Sequence, residues 1–396
     1  MKQKNQKMKT QVAIIGGGPA GLLLSQILMR ANIATIVLES RSRSYVLNRI
    51  RAGVIEHGSM ELLCDAGMGE RLLKEGIKHS GFIISSENKG FRIDLSLASG
   101  KSVYIYGQTE ITMDLYKAQE KYSATIFHGV KNVSIQDINT TKPQVYFEIS
   151  QQPHHISCDY IAGCDGSKGI SRSFIPKQKV KIHQSNYPYS WLGILTKTKP
   201  VHKELIYANH ERGFALASMR NQKLSRYYIQ TSKRENISNW PDKKIWEELK
   251  KRLPAEFSNI IETGNSVEKS LTTLRSIVFE PMQWERLFLA GDSAHIMPPT
   301  GAKGLNLAFS DIFYLSNSLI NFYRTGSTQE LERYSERALS RVWKTVRFSQ
   351  WMTSLLHTSK EKNSIEREFQ LSELQELSNS ESAQKALAEN YVGIPY

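Results

Sequence analysis

The sequence of 396 residues predicts a mixed α/β chain (α+β in parts): a Rossmann-like nucleotide-binding domain, an antiparallel-sheet domain and C-terminal helices. Three observations predict it. The apolar stretch Gln11–Ile15 runs into the glycine turn Gly16-Gly17-Gly18-Pro19-Ala20-Gly21, a helical stretch at Leu22–Leu28 and a second strand at Thr35–Leu38, closed by Glu39. Residues 190–235 alternate strongly between apolar and polar, the period of half-buried antiparallel strands. From Leu305 onward the pattern is helical.

Composition narrows the classes. At 40% hydrophobic residues the chain is ordinary for a globular protein, with room for two or three domains around shared cores. No apolar run approaches the roughly 20 residues that span a bilayer, so no membrane partner is expected. The opening Met1-Lys-Gln-Lys-Asn-Gln-Lys7 is basic and leads straight into a stretch needed as a strand, too short for a signal peptide. Met8 offers a second start, with the first seven residues then a disordered leader; the cytoplasm is the expected compartment. Cys64, Cys158 and Cys164 have neither zinc nor disulfide spacing, so reduced structural thiols and no metal are expected. The net charge of +14 invites a nucleic-acid reading. Lys and Arg are spread along the chain without a basic block among aromatics, so nucleic acid is not an expected partner; a basic surface steers anionic ligands instead.

The elements follow in chain order. The first glycines permit a tight turn and let a pyrophosphate approach a helix N-terminus, and Glu39, near the expected spacing of about 20 residues, suits a ribose diol. That pattern fits a dinucleotide without saying which. Phe91–Leu95, Val103–Tyr106 and Gln144–Ile149 read as strands. Tyr160–Cys164 ends in Asp165-Gly166, and with Ser167–Arg172 this reads as a second strand-to-helix turn or, equally, as an ordinary βα connection. Trp191–Leu195, Glu204–Tyr207, Phe214–Met219 and Ser225–Gln230 are the expected antiparallel strands.

Arg286–Ala290 reads as a short buried strand with Asp292 placed to accept from a sugar or polyol hydroxyl. Pro298 and Pro299 stiffen the next turn, while Gly301 and Gly304 let the backbone approach a flat ligand. The helix from Leu305 turns its N-terminus toward negative charge, such as the pyrimidine edge of a reduced flavin. Both ends of the sequence thus point to one flavin site. Ser327-Thr-Gln-Glu330 reads as a capping box before a helix carrying Leu331, Tyr334, Ala338, Val342 and Val346. Trp343, Phe348 and Trp351 read as core or dimer contacts, and Ser359–Ser382 as a looser helical segment. With no second intact glycine-rich βαβ unit, a nicotinamide cofactor has to meet the flavin from a surface cleft.

Gly16–Gly21, Cys164-Asp165-Gly166 and Gly291-Asp292 together resemble the class A flavoprotein aromatic hydroxylases. The segments 45–54, 106–110, 204–210, 212–216, 298–306 and 388–396 carry the same resemblance, which runs from Met8 to Tyr396 and covers substrate as well as cofactor segments. It implies an FAD-dependent monooxygenase that uses NAD(P)H and O2, through a C4a-hydroperoxyflavin, to convert 4-hydroxybenzoate to 3,4-dihydroxybenzoate. The alternatives are the same chemistry on another para-hydroxylated aromatic acid, or a flavin reductase or oxidase without hydroxylation.

The resemblance also assigns roles. Ser218, Arg220 and Tyr228 would hold the substrate carboxylate. Tyr207 would meet the phenol and pass its proton to Tyr391 and on toward His79, with the Pro299 carbonyl also at the phenol. A relay of two tyrosines and a histidine avoids burying a permanent charge beside the flavin. FAD contacts would come from Gly16, Gly18, Gly21, Glu39, Arg49, Arg51, Gln108, Asp165, Asp292, Gly301, Leu305 and Asn306. Arg51 would also help the flavin change position. Arg226 and Arg275 would serve nicotinamide binding or the swung-out flavin, and Arg41, Arg43, Arg51 and Lys168 join Arg275 as nicotinamide positions.

Two residues depart from the pattern: Lys168 stands where the family has histidine, and Asn48 where a glycine is usual. Arg41 and Arg43 among serines suit a 2′-phosphate, favouring NADPH with NADH left open. The expected domains are 8–180 for FAD (strands near 80–110 reaching the substrate region), 181–286 for the substrate-binding sheet, and 287–396 for the flavin-contacting motif and helical interface. A homodimer through the C-terminal helices is implied.

Overall fold

The computed structural model describes residues 6–48, 53–86, 89–358 and 364–396. Its first sheet has six strands in the order Gln283–Trp284, Leu287–Leu289, Tyr160–Gly163, Val12–Ile15, Thr35–Glu39 and Thr125–His128. All neighbours are parallel except the first hairpin. Val12–Ile15 and Thr35–Glu39 are buried throughout, because helices cover both faces of a parallel sheet. The helix Pro19–Arg30 packs between the sheet and the helices Gln108–Lys121 and Gly304–Thr325.

The second sheet has eight strands: His295–Ile296, Ser266–Glu280, Lys181–Thr196, Leu224–Ser232, Ala215–Asn221, Ile206–Asn209, Gly81–Ser86 and Lys89–Asp94. Its one parallel pair is Ile206–Asn209 with Gly81–Ser86. The strand expected at Glu204–Tyr207 begins two residues later. Glu204 instead turns its carboxylate to Arg92, at 2.7 and 2.9 Å, and donates its amide to His202 Nδ1 at 3.1 Å. The strand expected at Phe91–Leu95 stops at Asp94, whose carboxylate caps the short helix Leu95–Ser99 by accepting from the Leu97 amide at 2.8 Å.

One core lies around the parallel sheet. A second fills the space between the eight-stranded sheet and the helices Tyr334–Leu356, Ser364–Asn379 and Glu381–Val392, and it holds Trp191, Tyr207, Phe214 and Tyr391. A third lies on the sheet's other face, under the helix Asp242–Arg252.

Three further expectations need correction. Gln6 and Lys7 do not precede the ordered chain: Gln6–Lys9 is a strand paired in parallel with Gln152–Ser157, which supplies a backbone ladder at that edge. The capping box at Ser327–Glu330 does not form. Gly326 takes a left-handed φ of 78° to end the preceding helix, and the next helix, Gln329–Glu332, starts at Thr328 with no side-chain cap while Glu330 pairs with Arg337. Asp165-Gly166 leads into short 3-10 turns at Ser171–Phe174 and Lys177–Lys179 rather than into an α-helix. Among the described residues, no helix is long and apolar enough to cross a membrane.

Candidate active site

At the end of the first strand the glycines divide their tasks. Gly16 has φ 110°, and a Cβ there would lie 2.3 Å from the Cys164 carbonyl oxygen. A Cβ on Gly21 would lie 2.0 Å from the Gly16 carbonyl, so this glycine lets helix and strand pack closely. A Cβ on Gly18 would meet nothing within 4 Å. Gly18 caps the Pro19–Arg30 helix without a side chain, leaving the helix N-terminus facing open space. Glu39 is buried, and its carboxylate accepts from the Gly17 and Arg41 amides at 2.8 Å each, which aims it back at the same space.

The late motif closes over this region. Gly291 has φ 68°, its amide donates to Asp311 Oδ2 at 2.8 Å, and Ser293 donates to the Gly163 carbonyl at 2.6 Å. His295 lies 2.7 Å from the same Asp311 oxygen. Burial works against its charged form, but Asp311 outweighs burial and holds the imidazole above its ordinary range. Asp165 is used within its own turn, with Oδ2 accepting from the Ser171 amide and hydroxyl at 2.8 Å each, while Oδ1 is buried without a protein partner. Arg172 donates to the Gly166 carbonyl at 2.7 Å and feels the charges of Asp165, Asp292 and Arg275. Sequence reasoning missed it, because those groups come together only in the fold.

Other expected cofactor positions divide between backbone and side chain. A Cβ on Gly301 would meet Phe348 and Lys303 at 3.3 Å, so its free face is toward protein rather than ligand; Gly304 is the open one. Ala302, not a glycine, carries the left-handed φ of 55° in this turn. Asn306 spends its side chain on protein: it accepts from the Glu56 amide and donates to the Val54 and Ala302 carbonyls, each at 2.9 Å. Gln108 and Leu305 sit half-buried in the first turns of their helices. Arg49 and Arg51 lie outside the described residues. The open Gly18 helix end, the aimed Glu39 carboxylate, the unpartnered Asp165 oxygen and the open Gly304 helix start together fit an FAD. Among the described residues no His, Cys, Asp and Glu group suits a metal.

The aromatic side of the site is buried. Tyr207 and Tyr391, 184 residues apart in sequence, bring their hydroxyls to 2.8 Å. Burial raises both phenols above their ordinary range, and for Tyr207 the bond to Tyr391 partly opposes the rise. Phe82 packs its ring 4.3 Å from that of Tyr391. Arg220, two residues beyond Ser218 on the strand Ala215–Asn221, keeps a buried Nε without a protein partner, and Tyr228 lies against it. Burial lowers its pKa, but a guanidinium remains charged.

Ser218 donates to the Arg226 carbonyl at 2.9 Å, across the strand pair. Arg226 in turn is held by Glu268 at 3.1 Å and Ser270 at 2.8 Å. A Cβ on Gly193 would lie 2.7 Å from the Tyr228 ring, so the glycine makes room for it beside Trp191. The Pro299 carbonyl closes its own turn by accepting from the Ala302 amide at 2.9 Å. His79 is buried with neither ring nitrogen bonded to protein, and burial pushes its pKa down to about 4 against the pull of Glu204.

The expected nicotinamide positions are exposed: Arg41 over the Tyr45 ring, Arg43 paired with Glu120 at 2.5 Å, and Lys168 and Arg275 on the surface. Arg43 lines an open hollow of about 410 Å³ with Tyr116 and His128, beside the edge of the parallel sheet.

Fold and site define a class, a flavin-dependent oxygenase scaffold, and comparison with known proteins agrees. A family model described as "FAD binding domain" matches residues 9–349. The chain belongs to this FAD-binding monooxygenase family. More particularly, it is 50% identical over 392 residues to p-hydroxybenzoate hydroxylase from Acinetobacter baylyi, covering 99% of this chain and 97% of the relative. It is 22% identical to 6-hydroxy-3-succinoylpyridine 3-monooxygenase from Pseudomonas putida, covering 82% of each chain. Among solved structures, p-nitrophenol 4-monooxygenase from Pseudomonas putida superposes with a TM-score of 0.84 at 17% identity, covering 99% of this chain and 100% of the other. That likeness shows the fold: mixed α/β with several sheets and C-terminal helices.

Proposed function

We propose that the chain is a 4-hydroxybenzoate 3-monooxygenase: FAD-dependent, using O2 with NADPH as reductant and converting 4-hydroxybenzoate to 3,4-dihydroxybenzoate. The observation that carries it is the buried hydrogen bond between Tyr207 and Tyr391 in the core that also holds Trp191, on the sheet that carries Arg220. The 50% identity to a p-hydroxybenzoate hydroxylase over nearly the whole chain supports it.

FAD, when bound, supplies the activated oxygen that is transferred to the ring. The protein's part is to hold the acid and draw off its phenolic proton. Arg220, with Tyr228 beside it and Ser218 on the same strand, anchors the carboxylate, which decides which ring carbon is presented. Tyr207 takes the phenolic proton as it gives its own to Tyr391. Since burial disfavours the anion at both tyrosines, the proton is handed along rather than stored. His79, neutral at physiological pH because its pKa is about 4, is the acceptor expected at the far end. Arg41 and Arg43 support NADPH as reductant, and the reading carries with it a cytoplasmic homodimer built through the C-terminal helices.

NADPH consumption by the FAD-loaded protein, with and without 4-hydroxybenzoate, tests the reading, with dihydroxylated product quantified in parallel. Strong stimulation with matching product is expected. Stimulation without product would mean that the ligand triggers reduction but is not the substrate. No stimulation would point to another aromatic acid or to NADH.

A further inference from the structure

The helix Tyr334–Leu356 carries three fully buried polar side chains at a four-residue spacing: Ser349, Thr353 and, at its C-cap, His357. Residues so spaced lie on one face. That face is packed on the Pro299–Gly301 turn at one end and on the eight-stranded sheet at the other. Ser349 donates to the Pro298 carbonyl at 2.9 Å. Thr353 Oγ1 lies 2.9 Å from Thr300 Oγ1 and 2.7 Å from the Ser349 carbonyl. Both flanks of Pro299 are therefore tied to the helix.

One turn further on, Trp191 donates its indole N–H to His357 Nε2 at 2.6 Å. Because Nε2 accepts, the proton sits on Nδ1, which lies 2.9 Å from the Thr353 carbonyl. The ring is clasped between Tyr189 and Phe214, with centroids at 4.7 and 4.5 Å. Trp191 then touches Tyr228 at 4.9 Å, next to Arg220. One helix face thus reaches both ends of the aromatic site.

We infer that Ser349, Thr353 and His357 are positioning residues that set the separation between the Pro299 turn, at the phenol end, and the Trp191–Tyr228 wall, at the carboxylate end. The inference rests on the function proposed above. A ring held at both ends is presented to the activated oxygen in one place, and a small misplacement is costly for transfer. A hydroxyl bonding only within its own helix would be ordinary helix chemistry. Here Ser349 and Thr353 bond outward to a different segment, and His357 to a third.

The test compares Thr353→Val, which keeps shape and loses the hydroxyl, with Thr353→Ser, which restores it. For each, FAD content, thermal stability, the 4-hydroxybenzoate dissociation constant and product formed per NADPH are measured. Thr353→Val is expected to keep FAD and its melting temperature, and to lose at least roughly threefold in product per NADPH; Thr353→Ser is expected to recover it. Unchanged coupling in Thr353→Val, or a Thr353→Ser as poor as Thr353→Val, would overturn the inference. Should Thr353→Val fail to hold FAD, His357→Leu against His357→Gln decides it, since glutamine still offers Trp191 an acceptor. Recovery by glutamine supports the inference, and equal behaviour overturns it. Failure of the function itself would appear in the wild type, as no product from 4-hydroxybenzoate, whereas failure of this inference appears only in the variants.

Discussion

The buried ammonium of Lys303 donates to the backbone carbonyl of Tyr391 at 2.9 Å. Its other two bonds go to the Asn390 carbonyl at 2.7 Å and to Glu56 Oε1 at 2.6 Å, which uses all three donors. Arg341 adds a bond to the Pro395 carbonyl at 3.0 Å and one to the Ile394 carbonyl. A cation at the last carbonyls of the helix Glu381–Val392 is favoured there in any case. Here it also joins the glycine-rich turn before residue 304 to the C-terminal segment. The Tyr391 hydroxyl is thereby aimed at Tyr207 by a residue of the cofactor loop.

Tyr207→Phe isolates the first step of the relay. The ring and its contacts with Phe82 and Phe214 remain, and only the hydroxyl is removed. The variant should keep FAD and still bind 4-hydroxybenzoate. It should oxidise NADPH slowly and form product roughly 10²-fold or more below wild type, the scale of a positioned proton acceptor. Product and NADPH measured together decide it: coupled turnover at the wild-type rate would remove Tyr207 from the mechanism.

Arg220→Ala removes a buried guanidinium whose Nε has no protein partner, so little native bonding is lost with it. Substrate binding should weaken by at least ~1.5–3 kcal/mol, the range of a charged hydrogen bond, or about tenfold or more in dissociation constant. Titration of the flavin spectrum with 4-hydroxybenzoate reads this directly. An unchanged constant would place the carboxylate elsewhere.

Two alanine substitutions in one glycine turn should fail differently. In Gly21→Ala the new methyl would sit 2.0 Å from the Gly16 carbonyl, forcing helix and strand apart, and the protein should lose stability whether or not FAD is added. In Gly18→Ala the methyl meets no protein atom within 4 Å. That variant should melt like the wild type when both are stripped of FAD, yet retain FAD more weakly. Equal melting temperatures for the two stripped variants would show that the turn does not separate fold from ligand in this way.

The glycine turn was legible in the sequence because each role is set by neighbours within a few residues, and Glu39 by a fixed βαβ length. The eight-stranded sheet was legible in its alternation. Its strand ends were less so, because side chains such as Glu204 and Asp94 form local bonds that end pairing. Tyr207 and Tyr391 are 184 residues apart, so no spacing rule pairs them; only the family resemblance named both. Arg172, and the stripe of Ser349, Thr353 and His357, went unread for the same reason. A helical Ser or Thr bonding to its own backbone looks the same in sequence as one that holds another segment. Asn306 and Gly301 were read as ligand contacts, yet one spends its side chain on protein and the other turns its bare face to Phe348.

His79 carries a pH dependence whose sign follows from its burial. Its pKa is about 4 in the folded chain against an ordinary 6.5, chiefly because burial penalises the imidazolium, with Glu204 opposing. Between those values the unfolded chain holds a proton that the folded chain does not. Stability is therefore full above about pH 6.5 and falls as pH drops toward 4, by roughly 1.4 kcal/mol per pH unit. In denaturant unfolding at pH 7 and pH 5, the wild type should lose about 2 kcal/mol more than His79→Gln, which has nothing to protonate. Identical losses would mean that His79 titrates normally and is open to water in the folded protein. Such a residue would carry charge in mildly acidic solution, and the neutral relay from Tyr207 through Tyr391 would need a different last acceptor.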